Sequence, residues 1–186
     1  GGLVIVPTET FYGIAADPFN TDTIEKLRKV KGRESGKPVS LIADTSETAL
    51  SACRTVHPQF HSITGKFWPG ALTLILKANP QIPGAVTAGT GTVGIRIPGP
   101  SFALELVGAH RGLLTATSAN RGGDPPPISV DLLDPELVRE VDLVVDGGPA
   151  PGGEPSTLLD LTVDPPRILR QGALYDEVRE FLGSRI

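Results

Sequence analysis

Six cationic side chains lie within twelve consecutive residues near the start of the chain. They are Lys26, Arg28, Lys29, Lys31, Arg33 and Lys37, and a single acid, Glu34, lies among them. The whole chain of 186 residues has a formal net charge of -4. A dense local excess of positive charge in an acidic protein is typical of a site that meets an anion, although a solvated helix surface has the same composition.

The spacing of the apolar residues divides this basic stretch into two parts. Ile24, Leu27 and Val30 recur every third position, and Asp22 begins a capping-box pattern, so we predict a helix over residues 23–31. Gly32 is expected to end it. The cations before Lys31 then lie on the surface of the helix. Lys31 and Arg33 flank the terminal glycine, and we expect them to point into a pocket.

The glycines of the basic stretch also invite comparison with the phosphate-binding loop G-x-x-x-x-G-K-[ST]. Only three residues separate Gly32 from Gly36, and Pro38 stands where a hydroxyl should bind magnesium. The sequence therefore excludes that loop. Phosphate binding by Lys31 and Arg33 needs no such geometry, because a guanidinium grips two phosphate oxygens and an ammonium acts as a compact charge.

Polar side chains recur at the ends of predicted strands and in the loops that follow them. They are Thr8, Thr10, Thr92, Arg96, Ser118, Asn120, Ser156 and Arg170. Each residue type is common in turns. Neither serine lies in a nucleophile-elbow sequence, and we predict no metal site, since His57 and His61 have no obvious third ligand. Together with the basic stretch, these side chains indicate a polar pocket that holds anionic substrates.

Short apolar runs and helical patterns that alternate along the chain must position these side chains. Strands are predicted over residues 3–6, 39–43, 72–76, 93–97, 113–117, 141–145, 158–163 and 167–169, and helices over 23–31, 46–54, 58–67, 100–109 and 173–182. This alternation favours an α/β layered architecture. In the strand over 93–97, Gly94 and Arg96 share one face, and apolar residues form the other.

Composition limits the class of protein. Hydrophobic residues make up 39% of the chain, and no apolar run approaches the roughly 20 residues that a membrane-spanning helix requires. The single cysteine, Cys53, cannot form an internal disulfide, and we expect it to lie within a helix in a structural role. We therefore predict one globular domain in the cytoplasm, with no membrane partner.

Seven separated motifs occur in the order seen in one known family. They are P-T-E-T-F-Y-G at 7–13, K-G-R at 31–33, P-G-A-L-T at 69–73, V-G-I-R-I-P at 93–98, T-S-A-N at 117–120, S-T at 156–157 and I-L-R at 168–170. Through them the chain resembles the YrdC/TsaC family, the threonylcarbamoyl-AMP synthases, over nearly its whole length.

The resemblance implies an enzyme of tRNA modification. L-threonine, bicarbonate and ATP with Mg²⁺ would give L-threonylcarbamoyladenylate and pyrophosphate, and partner transferase proteins would then move the group to an adenosine in tRNA. It also implies a single YrdC-like domain over residues 1–186, built as a twisted mixed sheet with flanking helices around a deep, positively charged cavity. We expect the family's N-terminal helix and additional C-terminal domain to be missing from this chain.

The resemblance also assigns roles to the candidate residues. Lys31 and Arg33 would be catalytic and face the ATP phosphates. The other ATP contacts would be Thr92, Asn120 and Arg170. Threonine would be held by Thr8, Arg96, Ser118 and Ser156, with Arg96 pairing its carboxylate. Many relatives have a histidine in the strand after K-x-R, and residues 39–43 contain none.

Two alternatives stay open at this point. The first is a carbamoyl-transfer domain of the hydrogenase-maturation type, which normally belongs to a much longer chain. The second is a module that binds RNA weakly through residues 26–37 without catalysis; few aromatic neighbours are available there for base stacking.

Overall fold

The computed structural model of the chain describes residues 1–32 and 37–183, in which strands and helices alternate. The strands of this part are β1 (Val4–Pro7), β2 (Tyr12–Ala15), β3 (Leu41–Ile42), β4 (Leu72–Lys77), β5 (Thr92–Arg96), β6 (Leu114–Thr115), β7 (Thr117–Ser118), β8 (Leu143–Val144), β9 (Thr157–Asp160) and β10 (Arg167–Arg170). The helices are α1 (Thr21–Val30), α2 (Ser46–Ser51), α3 (Phe60–Phe67), α4 (Gly84–Thr87), α5 (Phe102–His110), α6 (Pro135–Glu140) and α7 (Tyr175–Gly183), with a 3-10 helix at Val130–Leu132.

The strands form two mixed sheets, so the predicted α/β class and mixed pairing are confirmed. The smaller sheet has the order β7-β2-β1-β8 and the larger one β10-β9-β4-β5-β3-β6. The expectation of one sheet is wrong, because the strand predicted over 113–117 is divided at Ala116. Before Ala116 the chain pairs with β3 as β6, and after it the chain pairs with β2 as β7.

The first two strands form a hairpin that the sequence did not predict. Pro7 pairs with Tyr12, so residues 8–11 are the hairpin loop rather than the free end of a strand. Thr8 holds this loop: its Oγ1 accepts from the amide of Thr10 at 3.1 Å and donates to the carbonyl of Phe11 at 2.8 Å. Glu9 therefore lies at the tip of a well-fixed turn.

Helix α1 forms where the apolar spacing predicts it, and it ends at Gly32 as expected. Gly32 has a φ of +57°, a left-handed conformation that favours glycine. The predicted cap is wrong, because Asn20 rather than Asp22 caps the helix, with its Oδ1 accepting from the Thr23 amide at 3.0 Å. Lys26 lies on the exposed face and pairs with Asp142 at 3.0 Å.

Several other boundaries differ from the prediction. Helices α2 and α3 are shorter than expected, so Cys53 lies just beyond α2 rather than within a helix. Helix α4 lies in a stretch for which neither a helix nor a strand was predicted. Helix α6 was not predicted, because Pro125, Pro126 and Pro127 indicate a loop. Its start has a recognisable signal, since Asp134 caps it by accepting from the Glu136 amide at 2.8 Å.

The main core joins both sheets. Ile5 and Ile14 of the smaller sheet, Leu74 and Ile95 of the larger one, and Leu27 of α1 are fully buried in one apolar cluster. A second cluster packs α5 against β1, β3 and β6. Among the described residues, no helix has both the length and the apolar character needed to cross a membrane.

The two tyrosines of the chain provide a test of how this core supports the loop over residues 147–155. The buried Tyr12 hydroxyl donates to the Gly148 carbonyl at 2.6 Å and accepts from the Gly147 amide at 3.3 Å. Tyr12→Phe leaves these groups unpaired, so we expect the free energy of unfolding in urea to fall by about 1–2 kcal/mol.

Tyr175→Phe is the matched control, because the half-buried Tyr175 uses its ring against Arg179. We expect it to change the free energy of unfolding by less than about 0.5 kcal/mol. Equal effects of the two substitutions would contradict the tethering role of the Tyr12 hydroxyl.

Candidate active site

A polar cavity of about 290 Å³ lies where the two sheets meet. The hairpin loop and β7 supply one wall, and β3, β4 and the end of β5 supply the other. Six residues predicted for the polar pocket line it: Thr8, Thr10, Arg96, Ser118, Ser156 and Arg170. Residues separated by up to 162 positions in the chain, from Thr8 to Arg170, therefore reach one cavity.

The remaining predicted residues are placed differently. Asn120 lies next to the cavity, where its Oδ1 accepts from Ser118. Thr92 is at the opposite end of β5 from Arg96, about 13 Å away at the usual rise of a strand, and its hydroxyl bonds to that of Thr90 at 2.9 Å. Arg33 lies outside the described residues.

Arg96 is the most deeply placed charge of the cavity. Its side chain is 10% exposed, and its guanidinium pairs with the Glu9 carboxylate. Burial lowers the pKa of Arg96, and the negative charge of Glu9 opposes that shift. A buried guanidinium needs such a partner, because an isolated charge is unfavourable in a poorly hydrated place.

Gly94 lies two residues before Arg96 on the same strand, where the neighbouring side chains leave little room for a Cβ atom. A Cβ atom at Gly94 would lie 3.2 Å from Oγ of Ser40 and 3.5 Å from Cγ2 of Thr73, and both of those residues line the cavity. The neighbouring Val93 and Ile95 are buried in the core. The predicted alternation along this strand is therefore confirmed, and its polar face forms part of the cavity.

Arg170 forms a second cationic group at the edge of the cavity. Its Nε and Nη2 donate to the Ser156 carbonyl at 3.1 and 2.8 Å, and Nη2 also donates to Oγ of Ser156 at 3.1 Å. Ser156 is linked in turn to the Thr73 hydroxyl at 2.8 Å. Burial lowers the pKa of Arg170, and the positive charge of Arg96 lowers it further.

Lys31 joins the end of α1 to the loop after β7. Its side chain is almost completely buried, and Nζ donates to the carbonyl oxygens of Ser118 and Asn120 at 2.5 Å each and to Oδ1 of Asn120 at 2.9 Å. An ammonium group has three N–H donors. Lys31 can therefore hold the Ser118–Asn120 segment with all three.

Arg121 fixes the other side of the same segment. Its guanidinium pairs with Asp134 at 2.7 Å, Glu136 at 3.1 Å and Glu140 at 3.5 Å, three acids at the start of or within α6. The segment that carries Ser118 and Asn120 is thus held between Lys31 and α6. These ion pairs were not expected, because α6 was not predicted.

The cavity has the chemistry of an anion-binding site. Its two guanidinium groups carry positive charge and several N–H donors each. Cys53 does not line the cavity, and burial raises its pKa to about 11, which makes the thiol a poor nucleophile. Within residues 1–32 and 37–183, no three His, Cys, Asp or Glu side chains are grouped to hold a metal ion. The arrangement can orient anionic reactants and neutralise their charge.

Glu9, Ser40 and Thr73 are polar residues at or beside the cavity that were not predicted for the site. Glu9 could have been noticed as an acid between two threonines of a predicted ligand loop. Ser40 lies in the segment where many relatives have a histidine. Thr73 is the last residue of the P-G-A-L-T motif, but no role was predicted for it, because only the pairing of β4 with β9 brings it next to Ser156.

Comparison with known proteins yields a family-model match over residues 1–172, to the Sua5/YciO/YrdC model described as "Telomere recombination". The chain is 39% identical to a threonylcarbamoyl-AMP synthase of Bacillus subtilis, over 94% of this chain and 51% of that protein. It is 32% identical to a threonylcarbamoyl-AMP synthase of Thiobacillus denitrificans, over 91% of this chain and 89% of that protein.

A solved structure agrees with these sequence matches. The crystal structure of Pyrococcus abyssi Sua5 complexed with L-threonine matches 100% of this chain and 54% of its own, with a TM-score of 0.90 and 31% sequence identity. The chain therefore spans about half the length of the Pyrococcus and Bacillus relatives.

The buried lysine and a surface lysine of the same helix region can be compared directly. Lys31→Met removes the donor to three oxygen atoms, so we expect the free energy of unfolding in urea to fall by about 2–3 kcal/mol. Lys26→Met removes only an exposed ion pair, so we expect its unfolding midpoint to stay nearly unchanged. A Lys31 variant as stable as the Lys26 variant would show that this ammonium does not hold the segment.

Proposed function

Because this chain belongs to the Sua5/YciO/YrdC family, we propose that it forms L-threonylcarbamoyladenylate and pyrophosphate from L-threonine, bicarbonate and ATP. The observation that carries the proposal is the convergence of two guanidinium groups and several hydroxyls on one cavity. The names of the Bacillus and Thiobacillus relatives and the L-threonine complex of the Pyrococcus protein support it.

Threonine would occupy the inner part of the cavity. Its carboxylate would pair with Arg96, a charge-assisted contact that the buried position strengthens. The hydroxyls of Thr8, Ser118 and Ser156 would bind the remaining polar atoms of the amino acid. All four residues line the cavity, so the assignment requires no rearrangement of the backbone.

The nucleotide would occupy the outer part, next to Arg170 and Asn120. The charges of Lys31 and Arg33 would face its phosphates. The N–H groups of Lys31 already donate to Ser118 and Asn120, so a direct phosphate contact would replace one of these bonds. The contact expected of Thr92 has the least structural support, because Thr92 lies far along β5 from the cavity.

The reaction would proceed in two steps. The α-ammonium group of threonine loses a proton, and the free amine then condenses with bicarbonate, so that a C–N bond forms and water leaves. An oxygen of the resulting carbamate then attacks the α-phosphorus of ATP, the new O–P bond forms, and the bond to the β-phosphate oxygen breaks to release pyrophosphate. Mg²⁺ would enter with ATP. Alignment and neutralisation of phosphate charge can supply the acceleration without a protein nucleophile.

The product would be used on tRNA in the cytoplasm by proteins that transfer the threonylcarbamoyl group to adenosine. Binding of RNA to the basic stretch without catalysis is not favoured. Lys26 pairs with Asp142, and Arg28 donates to the Ala85 carbonyl at 2.9 Å, so part of that stretch is used within the fold. No contact in the described structure favours carbamoyl transfer to a different acceptor.

Pyrophosphate release by the full chain tests the proposal. We expect release that requires ATP, L-threonine and bicarbonate together, with formation of the adenylate detected by mass spectrometry. Release that threonine does not stimulate would overturn the proposed function.

Two arginines of β10 provide matched variants for this assay. Arg170→Met removes a cation of the cavity, and we expect kcat/KM for ATP to fall by about tenfold or more, since charge-assisted hydrogen bonds are lost. Arg167 is exposed, as Arg170 is, but it does not line the cavity, so Arg167→Met should change kcat/KM for ATP by less than about twofold. Equal losses in both variants would count against the assignment of Arg170.

A further inference from the structure

Glu9 is the acid beside the cavity that none of the expected contacts uses. One carboxylate oxygen, Oε1, pairs with Arg96, and the side chain is 14% exposed. The other oxygen, Oε2, is buried and has no hydrogen-bond partner among the described residues. A buried carboxylate oxygen without a donor is unfavourable, so this atom is expected to have a partner when the cavity is filled.

The surrounding backbone keeps this carboxylate in place. Thr8 fixes the hairpin loop on one side through its bonds to Thr10 and Phe11. On the other side, Gly99 leaves just enough room, since a Cβ atom there would lie 3.1 Å from Cγ of Glu9 and 3.2 Å from its Cβ. The carboxylate is therefore held near Arg96. Glu9 is not among the described residues that line the empty cavity, so its side chain must turn for Oε2 to reach a ligand there.

The charges of the site indicate which chemical group can be the partner of Oε2. Arg96 and Arg170 are the guanidinium groups of the cavity, and its remaining described lining residues are uncharged. An α-amino acid carries a carboxylate and an ammonium group on the same carbon atom. If the substrate carboxylate pairs with Arg96, the ammonium group on the same carbon atom also lies close to Arg96. The carboxylate of this chain that contacts Arg96 is that of Glu9, so Glu9 can accept from the ammonium group.

We propose that Glu9 binds the α-ammonium group of the amino-acid substrate through Oε2. This inference rests on the proposed function and adds to it the residue that selects for an amine. In the empty cavity Glu9 is the counter-ion of Arg96. With substrate bound, the arginine and the glutamate each meet one charge of the amino acid, so the site distinguishes an α-amino acid from the corresponding acid without the amine.

Calorimetric titration of the full chain in the presence of ATP tests this role. The ligands are L-threonine and (R)-3-hydroxybutyrate, which is threonine without its amino group. In Glu9→Gln we expect the affinity for L-threonine to fall by about tenfold or more, because a charge-assisted hydrogen bond is lost. The affinity for 3-hydroxybutyrate should rise severalfold, because its carboxylate no longer competes with Glu9 for Arg96.

Two further variants keep the test decisive. Glu47→Gln alters an exposed glutamate of α2 and should leave both affinities unchanged. Glu9→Asp keeps a negative charge near Arg96 but withdraws it by one methylene group. If Glu9→Gln fails to fold, Glu9→Asp should still lower the affinity for L-threonine severalfold without lowering that for 3-hydroxybutyrate.

The possible results separate the two proposals. Threonine binding by the unaltered chain with no loss in the Glu9 variants overturns the role of Glu9 and leaves the proposed function in place. An equal loss for both ligands makes Glu9 a structural counter-ion only, which also overturns the inference. No binding of L-threonine by the unaltered chain overturns the proposed function and the role of Glu9 with it.

Discussion

The cavity exists because the chain changes sheets at Ala116. Residues on either side of this position pair with different neighbours: Leu114 and Thr115 with β3, Thr117 and Ser118 with β2. Ala116 itself donates its amide to the Ser40 carbonyl at 2.8 Å. The chain therefore links the two sheets at one end and leaves space between them beyond it. Each polar group of the site is attached to a strand end or loop that borders this space.

This arrangement brings charges into a place where water screens them poorly. Arg96 is buried, and its charge is compatible with folding because Glu9 pairs with it. Arg170 adds a second positive charge, and no further carboxylate is paired with it among the described residues that line the cavity. The excess of one positive charge favours an anion in the cavity. An adenylate-forming reaction on an amino acid supplies such anions.

The parts of the fold that the sequence predicted are those governed by local spacing. The period of α1, its terminal Gly32 and the two faces of β5 depend on residues a few positions apart. The pairing of Glu9 with Arg96 spans 87 positions, and no local pattern records it. Helix α6 was not predicted, because the three prolines that precede it indicate a loop. The hairpin strand β2 was missed because Tyr12 and Gly13 resemble a ligand loop when its pairing with β1 is unknown.

The order of the motifs identified the family correctly, but it did not determine which residues of the motifs lie at the cavity. Thr92 and Arg96 belong to the same strand, but Arg96 lies at the end that borders the cavity and Thr92 lies at the opposite end. Lys31 differs from both, because its ammonium contacts the backbone of the segment that presents Ser118 and Asn120. Replacing Lys31 would therefore disturb the groups proposed for threonine and nucleotide even if it touched neither ligand. In this chain the lysine of K-G-R and the S-A-N segment form one structural unit, since the first donates the hydrogen bonds that order the second.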